Sequence, residues 1–235
     1  MIYWVILLTA LLPVAILVFY IYHKDKNIPE PKGQLVKAFF FGMLSIPLSL
    51  VMSIPFGILG LYPEEPTNVL GSICSAFFGA AIPEECAKLF VLWLLLRQNK
   101  YFDEKMDGIV YAVCVSLGFA AVENVMYLFS DVESFISVGI SRAVFAVPGH
   151  FCFGILMGYY YSLAKFYPKS HGKNLFLILL TPIIAHGLYD SILFVTGVTP
   201  VISGLLVIVF IFFCHKMWKY CSQRIEELLI RDVIC

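Results

Sequence analysis

Four carboxylates and two histidines lie inside stretches of this sequence that are otherwise apolar enough to cross a lipid bilayer. An ionisable side chain at the bilayer centre costs at least about 2.5–3.5 kcal/mol, so such residues are retained chiefly for function. We therefore predict that these side chains, with two cations from the same stretches, converge on one polar site within the membrane. The eight residues are Glu84, Glu85, Lys88, Glu123, Arg142, His150, His186 and Asp190.

The first motif is Glu84-Glu85-x-x-Lys88. Glu84 and Lys88 are four residues apart and share a helix face, so we expect an ion pair that lowers the cost of burying both charges. Glu85 points about 100° away around the helix, which predicts that it has no partner on its own helix. Pro83 and the small residues before it are expected to loosen the helix here. An isolated structural ion pair would not account for the second glutamate.

The second motif is Phe119-x-x-x-Glu123-Asn124. The Tyr127 hydroxyl is one turn from Glu123 and could donate a hydrogen bond to it. Asn124 is interpreted either as a residue that supports the site or as a hydrogen-bonding residue between helices. Arg142, further along the chain, either supports the site or extends to the membrane interface.

Two histidines complete the set. His150 precedes Gly154 and Gly158, whose spacing is typical of close contact between membrane helices. His186 and Asp190 form an HxxxD pair on one helix face. Such a pair suits an oriented imidazole, half of a metal site or a group that stabilises an oxyanion, and a simple intrahelical hydrogen bond is the structural alternative.

The composition indicates the elements that must position these residues. The chain has 235 residues, of which 60% are hydrophobic and 14% charged, whereas soluble domains carry about 25% charged residues. Its formal net charge is zero, which argues against a nucleic-acid partner. We predict an all-α, polytopic bundle in the bilayer, one domain over 1–235 with the motifs in 69–195. The predicted spans are 2–22, 36–60, 69–96, 108–129, 135–164, 175–195 and 201–218.

The distribution of lysine and arginine predicts the orientation, since these residues concentrate in cytoplasmic connections. Of the sixteen, all but Lys88 and Arg142 lie in or beside alternate connections, and the intervening connections carry acids instead. This pattern predicts an N-terminus outside and a C-terminus in the cytoplasm of a multi-pass protein of a bacterial cytoplasmic membrane. The cytoplasmic cations are Lys24, Lys26, Lys32, Lys37, Arg97, Lys100, Lys105, Lys165, Lys169, Lys173, Lys216, Lys219, Arg224 and Arg231.

The orientation also predicts a common depth. Counting along each span at 1.5 Å per residue puts the acids and histidines of four helices roughly 17–23 Å from the cytoplasmic face. Randomly scattered polar residues would rarely share one layer.

The ordered set of EExxK, FxxxEN, a later membrane histidine and HxxxD resembles that of PrsW-type intramembrane proteases. The resemblance covers roughly 70–195. The wider clan includes the CAAX-processing endopeptidases, whose patterns are EExxxR, FxxxH and HxxxN; Lys88, Glu123 and Asp190 depart from these and favour the PrsW branch. The resemblance implies site-1 cleavage of a single-pass membrane substrate, such as an anti-sigma factor in a stress response, near the extracytoplasmic face.

The leading hypothesis for the chemistry is a glutamic-type endopeptidase without a cofactor. A carboxylate in a poorly solvated pocket can act as base and then acid. Glu84, possibly with Glu123, would deprotonate a water, and the adjacent Glu85 is an open alternative. His186 and Asp190 would stabilise the tetrahedral intermediate, while Lys88 would hold a glutamate ionised.

Three alternatives stay open at this point. The first is a zinc-dependent metallopeptidase with Glu84, Glu123, His150 and His186 as ligands, although no HExxH motif is present. The second is a transporter or channel whose carboxylates relay protons or cations. The third is a membrane scaffold without catalysis.

Overall fold

The computed structural model describes residues 2–25 and 29–234, and these residues form an all-helical bundle. Lys26, used in the orientation prediction, lies outside the described residues. In the described residues, seven helices match the seven predicted spans. They are α1 (Ile2–Lys24), α2 (Lys32–Ile58), α3 (69–96), α4 (Lys105–Ser130), α5 (Phe135–Phe166), α6 (His171–Val198) and α7 (Ser203–Ile234).

Six of these helices are long and apolar enough to cross a membrane, by length and composition. Helix α3 is the seventh, and it carries three charged residues within five positions, Glu84, Glu85 and Lys88. The outward faces of α1, α2 and α7 carry large exposed apolar side chains such as Trp4 and Ile58. Such a surface suits lipid rather than water.

Helix α4 lies at the centre of the bundle, where every residue from Met106 to Ala121 is buried. It packs mainly against α5, α2 and α1. Glycines allow the backbones to approach closely: a Cβ atom added at Gly42 of α2 would lie 1.9 Å from the Val115 carbonyl oxygen. On α5, a Cβ at Gly158 would lie 2.2 Å from the Gly108 carbonyl oxygen. The predicted close contact at Gly154 and Gly158 is therefore present.

Two helices are locally widened next to the charged motifs. Helix α3 consists of Val69–Cys74, a π-helical segment Ser75–Ala81 and Ile82–Leu96. Helix α5 likewise contains a π-helical segment, Arg142–Ala146, before its Val147–Phe166 part. A proline follows each segment, Pro83 and Pro148, and proline has no N–H for the preceding turn. The predicted loosening before Glu84 is thus present as π-helix.

The last helix is longer than the predicted span of 201–218, because α7 continues to Ile234. Beyond the membrane-length apolar run the helix becomes amphipathic, and Cys221, Ile225 and Leu228 bury one face at spacings of four and three residues. Such an extension has no continuous apolar stretch, so its sequence does not resemble a membrane span. It brings the end of α7 against the start of α4, where Asp232 accepts hydrogen bonds from the Lys105 and Met106 amides.

Candidate active site

Helices α3, α4, α5 and α6 bring the eight predicted side chains together around one cavity. The cavity has a volume of about 580 Å³, within the range of small-molecule pockets. Its wall includes Glu84, Glu123, Arg142, His150, His186 and Asp190 together with Phe153, Tyr127 and Tyr189. Lys88 and Glu85 lie behind this wall and are almost wholly buried.

Of the two adjacent glutamates, Glu85 lies closer to Lys88. The expectation that Glu85 lacks a partner on its own helix is therefore wrong. Its Oε1 accepts a hydrogen bond from Lys88 Nζ at 2.8 Å, whereas Glu84 Oε2 lies 3.4 Å from the same nitrogen. Position i+3 is within reach of a long lysine side chain, and the buried position of Glu85 favours the tighter pair. Its Oε1 also lies 2.9 Å from His186 Nδ1 on α6.

Lys88 connects three helices. Besides the two glutamates, its Nζ lies 3.2 Å from His150 Nδ1 on α5 and 4.0 Å from the ring centroid of Phe119 on α4. An ammonium group can only donate, so His150 Nδ1 accepts and His150 Nε2 carries the hydrogen. The Nε2–H then donates to Glu123 Oε2 at 2.8 Å. Both nitrogens of His150 are therefore engaged by charged partners.

Glu123 belongs to a second charged group. Arg142 Nη2 donates to Glu123 Oε2 at 2.6 Å, and Arg142 Nε donates to Asn124 Oδ1 at 2.6 Å. Asn124 in turn donates from Nδ2 to the Ala10 carbonyl of α1. Of the two interpretations of Arg142, the structure favours the one in which it supports the site. Tyr127, proposed as a donor to Glu123, instead lies with its ring 4.1 Å from the Arg142 guanidinium.

His186 faces the cavity with one nitrogen. A carboxylate such as Glu85 can only accept, so His186 Nδ1 carries the hydrogen of that contact. Its Nε2 lies 3.2 Å from Asp190 Oδ2 and 3.9 Å from Glu84 Oε2. The HxxxD pair is thus close together, and Glu84 completes a triangle of polar groups at the cavity wall.

Phe153 and Ser116 also contact these polar groups, and no sequence motif pointed to either residue. The Phe153 ring stacks on His186 with centroids 4.6 Å apart and planes at 16°. Phe153 follows His150 by three residues on α5, which is the one signal that could have pointed to it. The Ser116 hydroxyl, also overlooked, donates to the His150 carbonyl at 2.6 Å.

The predicted zinc ligands differ in whether their ligand atoms are free to bind a metal ion. Glu84, Glu85 and His150 each place one ligand atom within 4.8 Å of the other two, but the Lys88 ammonium contacts all three residues. The set of Glu84, Glu123, His150 and His186 does not fit a zinc ion, because His150 is fully engaged and Arg142 neutralises Glu123. His186 Nε2 has no buried cation among its contacts in the described residues, and it faces Glu84 and Asp190.

The fold and this site define a class: a multi-pass membrane protein with a charge-rich cavity enclosed by four of its helices. Comparisons with known proteins agree with that class. A family model described as PrsW family intramembrane metalloprotease matches residues 30–215. The chain therefore belongs to the PrsW family of intramembrane proteases, and it is a multi-pass bacterial membrane protein.

Several curated relatives support this membership. The chain is 35% identical over 228 residues to Protease PrsW of Clostridioides difficile (strain 630), which covers 94% of this chain and 90% of the relative. It is 37% identical to Protease PrsW of Oceanobacillus iheyensis over 90% of this chain and 94% of that protein. It is 35% identical to Protease PrsW of Bacillus subtilis (strain 168) over 75% and 77% of the two chains. No solved structure matches.

Proposed function

We propose that the protein is a glutamic-type intramembrane endopeptidase in which Glu84 is the general base. The observation that carries the proposal is the difference between its three membrane glutamates. The Glu85 side chain is wholly buried and bound to Lys88 and His186, and Glu123 is bound to Arg142 and His150. Glu84 is 16% exposed, lies on the cavity wall and has no charged partner closer than 3.4 Å in the described residues.

A water molecule beside Glu84 would be the nucleophile. Glu84 would take a proton from it as the oxygen attacks the scissile carbonyl and would later return the proton to the leaving amine. His186 Nε2, with Asp190 beside it, faces the same space and would stabilise the tetrahedral intermediate. Glu85 is then a positioning residue, because its bond to Nδ1 fixes the ring orientation of His186.

The shape of the cavity supports cleavage on the extracytoplasmic side. Beyond the charged layer, its wall continues along Ser137 and Ser141 of α5 and along Leu193 and Phe194 of α6. In the predicted orientation α5 begins outside and α6 ends outside, so these residues lie between the acids and the outer surface. We infer that a single-pass membrane substrate, such as an anti-sigma factor, enters from that side for site-1 cleavage.

A metal-dependent protease is the second candidate, favoured by the hydrogen bond between His186 Nδ1 and Glu85. A carboxylate on the far nitrogen of a histidine is the usual arrangement behind a metal ligand. His186 Nε2, Glu84 and Asp190 would hold the ion. A zinc ion there would supply a Lewis acid for the scissile carbonyl.

The decisive variant is Glu84→Gln. The amide keeps the size of the side chain but cannot accept the proton, so cleavage of a single-pass reporter in proteoliposomes should fall by about 10²–10⁴. Glu133→Gln removes an exposed acid from the connection between α4 and α5 and is the matched control. Near-normal cleavage by folded Glu84→Gln would refute the assignment of the base. Metal analysis and chelation of the parent protein separate the two mechanisms: full activity after metal removal supports the glutamic one.

The orientation has its own test. In a background without native cysteines, Glu64→Cys should react with an impermeant thiol reagent only from outside, because the 62–68 connection is predicted to be extracytoplasmic. Lys100→Cys, in the 97–104 connection, should react only from the cytoplasmic side. The reverse pattern would place the cavity mouth on the cytoplasmic side and overturn site-1 cleavage.

A further inference from the structure

A second group of carboxylates lies at the opposite end of α4 from Glu123. It gathers residues from the α1–α2 connection, the 97–104 connection and the start of α4. Asp107 and Glu123 are sixteen residues apart on α4, which separates the two groups by about 24 Å. The members are Asp25, Glu30, Asp103, Glu104 and Asp107, which we call the terminal acid cluster.

The cluster has the spacing of cation ligands. One oxygen from each of Asp25, Glu104 and Asp107 lies within 4.8 Å of the other two. Ca²⁺–oxygen distances are about 2.3–2.6 Å, so two ligands of one ion are separated by at most about 5 Å. Asp107 is shared with a second such set, which contains Glu30 and Asp103.

One oxygen of this cluster is buried without a partner among the described residues, which is the independent observation. Asp25 is 3% exposed and Asp107 is 1% exposed. Asp25 Oδ2 nevertheless has no hydrogen-bond partner among the described residues. Asp107 and Glu30 lie within hydrogen-bonding reach of each other, so a proton shared between them can satisfy Asp107 Oδ1. Asp107 uses its other oxygen to accept the Asp103 and Glu104 amides at the start of α4. Leaving a buried acceptor unsatisfied costs about 1–3 kcal/mol, more when it is charged.

Two described cations lie beside the cluster: Lys105 interacts electrostatically with Glu104, and Lys165 with Asp103 and Asp107. Lys105 Nζ contacts Asp232 and the Arg231 carbonyl, and Lys165 donates to the Phe102 carbonyl. The Tyr111 hydroxyl donates to Glu30.

We propose that the terminal acid cluster binds a hard divalent cation, Ca²⁺ or Mg²⁺, through Asp25, Glu104 and Asp107. Oxygen-only ligands suit these ions rather than softer metals. The bound ion joins the end of α1 to the start of α4, which α7 already contacts through Asp232. It therefore fastens two helices at the predicted cytoplasmic end, independently of how the cavity site cleaves its substrate.

The test follows thermal unfolding of the detergent-purified, chelator-treated protein while Ca²⁺ or Mg²⁺ is added in separate titrations. At a hundredfold excess over the dissociation constant, the unfolding temperature should rise by about 5–10 °C. The ion with the tighter titration is the one the cluster selects. No shift with either ion up to about 10 mM, above the range of weak calcium sites, would overturn the proposal.

Variants locate the ion. Asp25→Asn should raise the dissociation constant of the ion by about 10–100-fold. Glu133→Gln, which changes an exposed acid in the connection between α4 and α5, should leave the dissociation constant unchanged. Glu104→Gln, on a partly exposed ligand, replaces Asp25→Asn if that variant does not fold. Glu84→Gln must also keep the response, because a loss there would place the ion in the cavity site. A full response in both Asp25→Asn and Glu104→Gln would equally overturn the assignment.

Discussion

The cavity site and the terminal acid cluster both collect carboxylates from several helices, yet they neutralise them differently. In the cavity site, Lys88 and Arg142 contact Glu85 and Glu123 at 2.8 and 2.6 Å. In the terminal acid cluster, Asp25 retains a buried oxygen without a partner among the described residues. Deep in the bilayer no solvent ion is available, so the chain must supply its own cations. Near the membrane surface an exchangeable cation can be left to solution.

The comparison is tested most severely by removing the internal cation with Lys88→Met. This change leaves the wholly buried Glu85 without its closest partner, and an uncompensated buried charge costs about 3–5 kcal/mol. We expect a large drop in the unfolding temperature of the purified protein. The double variant Lys88→Met/Glu85→Gln should recover much of it, because no unpaired charge is left. If the double variant is no more stable than the single one, Lys88 is not required to neutralise Glu85.

The catalytic side of the comparison is sharpened by His186→Ala. If His186 stabilises the tetrahedral intermediate, kcat should fall by about 10²–10³ with substrate binding little changed. His215→Ala, an exposed histidine on α7, is the control. A simultaneous loss of bound metal would instead favour the metal-dependent mechanism. Unchanged turnover and metal content would show that α6 contributes only packing to the site.

The sequence predicted the gathering of charged residues better than it predicted their pairing. The convergence of the charged side chains on one layer was predicted from the span limits and the orientation. Counting residues along each span gives the depth of Glu84, Glu123 and His186. The prediction that Glu85 has no partner on its own helix was wrong. Cβ directions alone separate Glu85 from Lys88, but the long lysine side chain reaches across that separation. The contact between Arg142 and Glu123 joins two helices whose relative rotation the sequence does not encode locally.

The terminal acid cluster was not predicted at all. Asp25, Glu30 and Glu104 lie in polar connections, where acids are ordinarily solvated and carry no signal. The burial of Asp25 and Glu30 results from the close packing of the start of α4 against the ends of α1 and α7, which is a tertiary effect. The same connections are rich in lysine, and the orientation was predicted from these cations alone, so the acids beside them were given no role.

The smallest expected effect is the pH dependence of the terminal acid cluster without divalent cations. The pKa of Asp25 is raised to about 7 from an ordinary value of 3.8, so the folded protein binds more protons than the unfolded chain between these limits. Stability is therefore greatest below about pH 4 and is lost as the pH rises through about 7. The raised pKa of Glu30 and Glu104 adds to the same trend.

Unfolding temperatures measured in chelator should fall with rising pH in the parent and fall less steeply in Asp25→Asn. Saturating Ca²⁺ or Mg²⁺ should flatten the parent profile, because the bound ion replaces the protons. Identical slopes for parent and variant would mean that Asp25 is solvated, and the contrast with the internally neutralised cavity site would then be lost.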